Sequence, residues 1–219
     1  MLVLFLVAAA CTGGEGKPRP TLHPRPRVGG QAVFGAEQWP ECINPITICA
    51  AAAWAHYTVL QHVLPRAMEL DPKGNFVASP LLADAPTLEN GGLTGNPFTV
   101  RYHIALTALW DDDTRITSAD FDFTWRAILS TEGKPYGPAY RRDEYRHVIG
   151  VDHRDPEVAV IRFDGIYRDW PDLFGGQADY IIKASAFPNV DQRRPNLERA
   201  MPSSFATIGT SGVEPFSIR

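Results

Sequence analysis

Residues 98–104, FTVRYHI, alternate without a break: Phe98, Val100, Tyr102 and Ile104 point one way, Thr99, Arg101 and His103 the other. A period of two predicts a strand with one buried and one wet face. A change of period follows within a few residues. Thr117 can cap a helix, with Asp120 three positions on favouring its positive end. Phe121, Trp125, Ile128 and Leu129 then recur at helical spacing as the expected buried stripe. A second helix is expected over Ala50 to Leu64, where Ala53, Tyr57, Leu60 and Leu64 share a face and Pro65 ends the run. Gln31 to Gly35 reads as a first strand. Val158 to Phe163 (VAVIRF) is apolar enough for a strand covered on both faces, and Tyr180 to Ile182 reads as another. Strands and helices mix without a βαβ rhythm, so the fold class is α/β in the mixed α+β sense.

The N-terminus reads as an address. Met1 to Ala10 are ten apolar residues ending in three alanines, and Cys11 follows. Such a run suits the apolar core of a secretory signal, and a cysteine after small residues resembles the lipobox of bacterial lipoproteins. Residues 1–11 are therefore expected to be a signal peptide, with Cys11 the lipid anchor. Residues 12–30 hold five Gly and four Pro in nineteen positions, too little apolar material to offset ordering entropy, and should form a flexible tether. With a formal net charge of -4 there is no basic field for general nucleic-acid binding. No apolar run reaches the ~18–20 residues needed to cross a bilayer.

The stretch ALWDDDTRITSADFDFTWRAI, from Ala108, resembles the signature region of family 5 extracellular solute-binding proteins, the peptide and nickel receptors of ABC importers. Other landmarks fall in that family's order. Glu41 to Pro45 resembles its Asn-Pro turn. Leu64 to Leu82 resembles the segment, with an Asp-Gly-type turn, that leads to the alternating strand. Asp155-Pro156 and VAVIRF resemble its next strand, and Ile208 to Phe216 a Gly-Ser-Gly-Pro-type turn. Asp113 stands where the turn after Trp110 usually has Gly, and Val213-Glu214 interrupts a Gly-Pro step.

The resemblance implies a periplasmic-binding-protein-like type II fold. Residues 31–219 would be the N-terminal lobe, with 45–185 an inserted subdomain and the remainder the lobe's core. The chain would stop before a second lobe, as the strand-like alternation opening at Phe216 and Ile218 also suggests. It implies an extracytoplasmic lipoprotein in the periplasm or on the outer face of the cell membrane. Such a protein would capture peptides or similar small solutes for an ABC permease and its ATPase subunits. In the family an extended peptide bonds to exposed backbone, which here falls on Glu37, Gln38 and Trp39. Tyr136 and Tyr140 are second-rank ligand-binding candidates, as is the turn Phe174-Gly175-Gly176. Trp110, Trp125 and Trp170 are assigned to the core.

Catalytic and metal motifs are weak. Cys42 and Cys49 are seven apart, and in an exported body a disulfide between them is expected, free thiols being the alternative. His56 and His62 do not share a helical face, so no zinc site is expected. Asp111, Asp112 and Asp113 read as a solvated turn. GTSG at 209–212 is not the hydrolase G-x-S-x-G, and no cofactor is implied. The chain is read as a binding protein, not an enzyme. An exported hydrolase with a triad drawn from distant residues, or a non-binding surface remnant, remain alternatives.

Overall fold

Hydrogen bonding in the computed structural model organises the chain around one antiparallel sheet; residue 35 and residues 44–48, 55–132 and 139–197 are described. The expected first strand, apart from Gly35, the cysteines Cys11, Cys42 and Cys49, and Ile208 to Phe216 lie outside these. Six strands are described: β1 (Met68–Leu70), β2 (Phe76–Ala78), β3 (Leu93–Gly95), β4 (Phe98–His103), β5 (Val148–Asp155) and β6 (Val158–Phe163). The α-helices described in full are α1 (Ser118–Ser130) and the single turn α2 (Arg142–Tyr145). β1 and β2 pair as a hairpin, and the other four form a sheet in the order β3-β4-β6-β5, every neighbour antiparallel.

The alternation in β4 does what its sequence predicts. Val100, Tyr102 and the following Ile104 are buried, Arg101 is exposed, and Val100 sits opposite Ile161 on β6. β6 corrects the reading of a strand covered on both faces. Ala159, Ile161 and Phe163 are buried, but Val158 and Val160 are only half-buried and Arg162 is exposed. Helix α1 covers one side of the sheet, and Tyr102 on β4 meets Phe121 on α1 at 5.6 Å between ring centres.

Two further expectations change. Tyr180 to Ile182 is buried and extended but joins no sheet. It packs against a helix, so side chains and a loop carbonyl replace a ladder: Ile182 donates to Thr124 Oγ1 (2.8 Å) and Ile181 to the Pro65 carbonyl (2.9 Å). The described part of the 50–64 helix is a π turn, Ala55–Val59, followed by a 3₁₀ turn, Leu60–His62. Passing from i+5 to i+3 bonding rotates the faces. Leu60 and Leu64 are buried as expected, whereas Tyr57 turns to the surface.

On α1 the buried stripe is wider than the sequence suggested. Phe121, Phe123, Ala127 and Ile128 are enclosed together with Asp120, Asp122 and Thr124, while Trp125 and Leu129 are half-buried. Of the three core tryptophans only Trp110 is fully enclosed; Trp170 is half-buried beside Tyr102. The turn after Trp110 holds Asp113 at φ 62, in the left-handed region where Gly costs least. The aspartate triplet is exposed, as expected of a solvated turn, and one member is also held by partners. Asp112 accepts from Thr114 and pairs with Lys183 at 2.5 Å, and the Lys183 bond holds its carboxyl down to about 2.

Two buried carboxyls stitch these elements together. Asp120 closes a capping box with Thr117 (2.9 Å from the Thr117 amide) and also accepts from the Ala184 amide (2.9 Å) and the Trp110 side chain. Asp179 lies beside Tyr145, whose hydroxyl oxygen accepts from the Phe174 amide at 2.8 Å and whose side chain bonds the carboxyl. Burial pushes the Asp179 carboxyl up to about 8, against the pull of Arg141 at 3.7 Å.

Asp120→Ala strands three donors at once and should lower stability by about 2–4 kcal/mol in urea unfolding, well beyond the loss of a cap alone. Asp179 makes a pH-dependent contribution. A carboxyl raised on folding binds its proton more tightly in the native state, so stability is greatest below about pH 4 on this account. It falls as pH rises through about 8. Asp179→Asn should flatten that slope; urea midpoints measured from pH 4 to pH 9 that decline equally in both proteins would refute the assignment.

Candidate functional site

Three distant segments are drawn together where the chain passes residue 140. Asn44 opens an Asx turn, its Oδ1 accepting from the Ile46 amide (3.0 Å), while its Nδ2 donates to the Leu197 carbonyl (2.6 Å). Thr47 bridges Ala139, and the Tyr140 amide donates to the Ile46 carbonyl (2.6 Å). The Asn-Pro turn thus holds the chain at Ala139 and Tyr140.

Behind Tyr140 lies a ring cluster. The imidazole of His56 is fully buried, with its centre 5.7 Å from Tyr140, 5.4 Å from Tyr57 and 5.0 Å from Tyr180. Its Nε2–H donates to the Ala178 carbonyl (2.6 Å), and burial depresses its pKa, so the ring is neutral at physiological pH. Tyr180 donates to the His56 carbonyl (2.6 Å). The Arg66 guanidinium sits 5.9 Å from the centre of the Tyr180 ring and donates to the Gly176 carbonyl. The phenols of Tyr57 and Tyr140 bond to one another, and burial is the main force raising the Tyr140 hydroxyl.

In front of Tyr140 an open groove of about 580 Å³ runs along Arg141, Arg142, Asp143, Glu144 and Arg146. Arg141 takes φ 59 immediately before α2, and this turns the chain so that its side chain reaches back toward Asp179 and Glu144, each 3.7 Å away. An aromatic wall with a hydroxyl edge, opening onto a mixed-charge groove, can hold a polar ligand by stacking and hydrogen bonds. Among the described residues no group of three His, Cys, Asp or Glu side chains could hold a metal ion.

Of the residues named from sequence, the structure places Tyr140 at this groove. Glu37, Gln38, Trp39 and Tyr136 lie outside the described residues. The turn Phe174-Gly175-Gly176 is corrected: Phe174 is 1% exposed, and a side chain at Gly175 would strike the Met68 and Pro171 carbonyls. It is a buried contact against β1, with no surface for a ligand. His56, Tyr57, Arg141 and Asp179 were missed as neighbours of Tyr140. The adjacent pair His56-Tyr57, in a chain with six histidines, was the available signal.

No helix of the described residues is long and apolar enough to cross a membrane. Neither a protein-family profile nor a curated protein matches the chain in sequence. Solved structures do match in shape. The periplasmic EDTA-binding protein EppA aligns with TM-score 0.57 and 22% identity over 69% of this chain and 27% of its own. NikZ from Campylobacter jejuni, solved with Ni(L-His), aligns with TM-score 0.55 and 14% identity over 74% of this chain and 29% of its own. The oligopeptide-binding protein of Thermus thermophilus, solved with a pentapeptide, aligns with TM-score 0.50 and 21% identity over 67% of this chain and 23% of its own. The chain therefore spans between a fifth and a third of the length of these proteins, and over that span it has a mixed α/β, periplasmic-binding-protein-like fold.

Proposed function

We propose that this chain is the ligand-capturing first-lobe portion of a family 5 solute-binding protein that serves an ABC importer outside the cytoplasm. One observation carries the reading. The chain shares its fold with receptors of unlike small ligands (EDTA, a nickel–histidine complex and a peptide), and its own sequence resembles the same family. In this reading peptides, or solutes of comparable size and polarity, lie against the Tyr140 wall. The segment Glu37-Gln38-Trp39 offers backbone, and Tyr136 a second ring. A second lobe closes over the ligand, and the closed form is favoured by its greater affinity. Residues 1–11 export the chain, Cys11 carries the lipid, and residues 12–30 tether the body near the membrane. A disulfide between Cys42 and Cys49 stiffens the approach to Asn44.

Calorimetric titration with peptides of two to six residues, with Ni(L-His) and with EDTA should give saturable binding of at least one probe. Tyr140→Ala should weaken that binding roughly tenfold, the usual effect of losing one aromatic contact. Failure to bind any probe in a protein carrying both lobes would overturn the reading. Separately, Cys11→Ser should move the protein from the membrane to the soluble fraction of the producing bacterium. Unchanged membrane association would refute the lipid anchor.

A further inference from the structure

The second half of α1 carries an arginine-lined groove that the reading above does not use. Residues 191–197 lie against α1 because Ser130 Oγ donates to the Pro195 carbonyl (3.1 Å) and the Leu197 amide donates to Thr131 Oγ1 (3.1 Å). These two bonds bring Arg193 and Arg194 to the same groove as Arg126 and Arg142, together with Ser130 and Glu132; its volume is about 520 Å³. Four arginines and one glutamate line it, in a chain whose formal net charge is -4.

The four arginines are not equally free. Arg126 is compensated by an ion pair with Asp122 and by the charge of Asp191. Arg142, Arg193 and Arg194 make no ion pair among the described residues. Asp191 turns its carboxylate onto the Arg193 backbone amide (2.9 Å), leaving the Arg193 head group to the groove. Three guanidiniums without an ion pair of their own, beside the single groove carboxylate of Glu132, repel one another, and an oxyanion among them relieves that repulsion with charge-assisted, forked hydrogen bonds.

We propose that this groove binds a small polyanion that presents clustered carboxylate or phosphate oxygens. Arg142, Arg193 and Arg194 are the principal donors, Arg126 and the Ser130 hydroxyl flank them, and Glu132 disfavours ligands without high charge density. The site does not rest on the solute-capture reading: it shares only Arg142 with the groove in front of Tyr140, and its remaining donors, Arg126, Arg193, Arg194 and Ser130, lie outside that groove.

The test is calorimetry on the full chain at fixed ionic strength, with citrate and inorganic phosphate as probes and acetate as the monovalent control. Saturable binding of citrate, of phosphate or of both is expected, and the stronger of the two identifies the source of the oxyanions. Arg193→Gln combined with Arg194→Gln, both exposed positions, should weaken binding roughly tenfold or more while leaving the circular dichroism spectrum unchanged. Arg142→Lys keeps the charge but loses the fork and should fall between the two. Arg115→Gln, at the exposed pair with Glu157, should bind like the parent protein. No saturable binding of either polyanion, or binding unchanged in the double variant, would overturn the proposal. Acetate bound as tightly as citrate would also overturn it.

Discussion

One buried carboxylate sets the geometry on which the rest depends. Asp120 is 5% exposed and receives donors from three directions: the start of its own helix, the Trp110 side chain and the Ala184 amide. An unpaired carboxylate in that position would cost several kcal/mol. The loop holding Trp110, the N-terminus of α1 and the turn at 184–186 must therefore arrive together or not at all. Thr124 repeats the device one turn later, accepting from Ile182 while donating to the Asp120 carbonyl. A helix that uses its polar side chains to hold an extended strip of chain can keep Ile181 and Ile182 fully buried without a neighbouring strand.

That arrangement explains what sequence could and could not disclose. The alternation at 98–104 was legible because β4 has one wet face, and the Thr117–Asp120 pair because a capping box is local. Asp120 looked like a cap and no more, since Ala184 lies 64 residues away. Tyr180 to Ile182 carries strand-forming residues, but their partners are side chains of a helix, and no period records that. β1, β2 and β3 have three residues each, too few to establish a period, and β5 ends in the polar run Asp152-His153-Arg154-Asp155, which carries no apolar alternation. VAVIRF looked two-sided because half-buried valines and fully buried ones are written with the same letter.

The candidate sites were less legible than the fold, and for a related reason. Tyr140 could be named from its Gly/Pro-rich sequence, yet its neighbours His56 and Tyr57, and the Tyr180 ring that packs on His56, come from segments 40 or more residues away in either direction. The arginine groove draws on residues 126, 142 and 193–194, three places with nothing in common in sequence except the residue type. Both assemblies hang on the hydrogen bonds that fix chain crossings, Asn44 to Leu197 and Ser130 to Pro195. Those bonds are made by ordinary polar residues that no motif distinguishes.

The order β3-β4-β6-β5 has a consequence in time as well as in space. Gly95 faces Phe98 and Asp155 faces Val158, so each outer pair closes over a few residues and costs little entropy to form. Val100 and Ile161 are 61 positions apart, and the chain between them contains α1. Joining the two hairpins is the expensive step of the search, because a long loop must be closed before any central ladder bond can offset it. The capped helix shortens that loop by folding part of it locally. A cap at the start of α1 thus bears on how fast the sheet is assembled as well as on how firmly it is held.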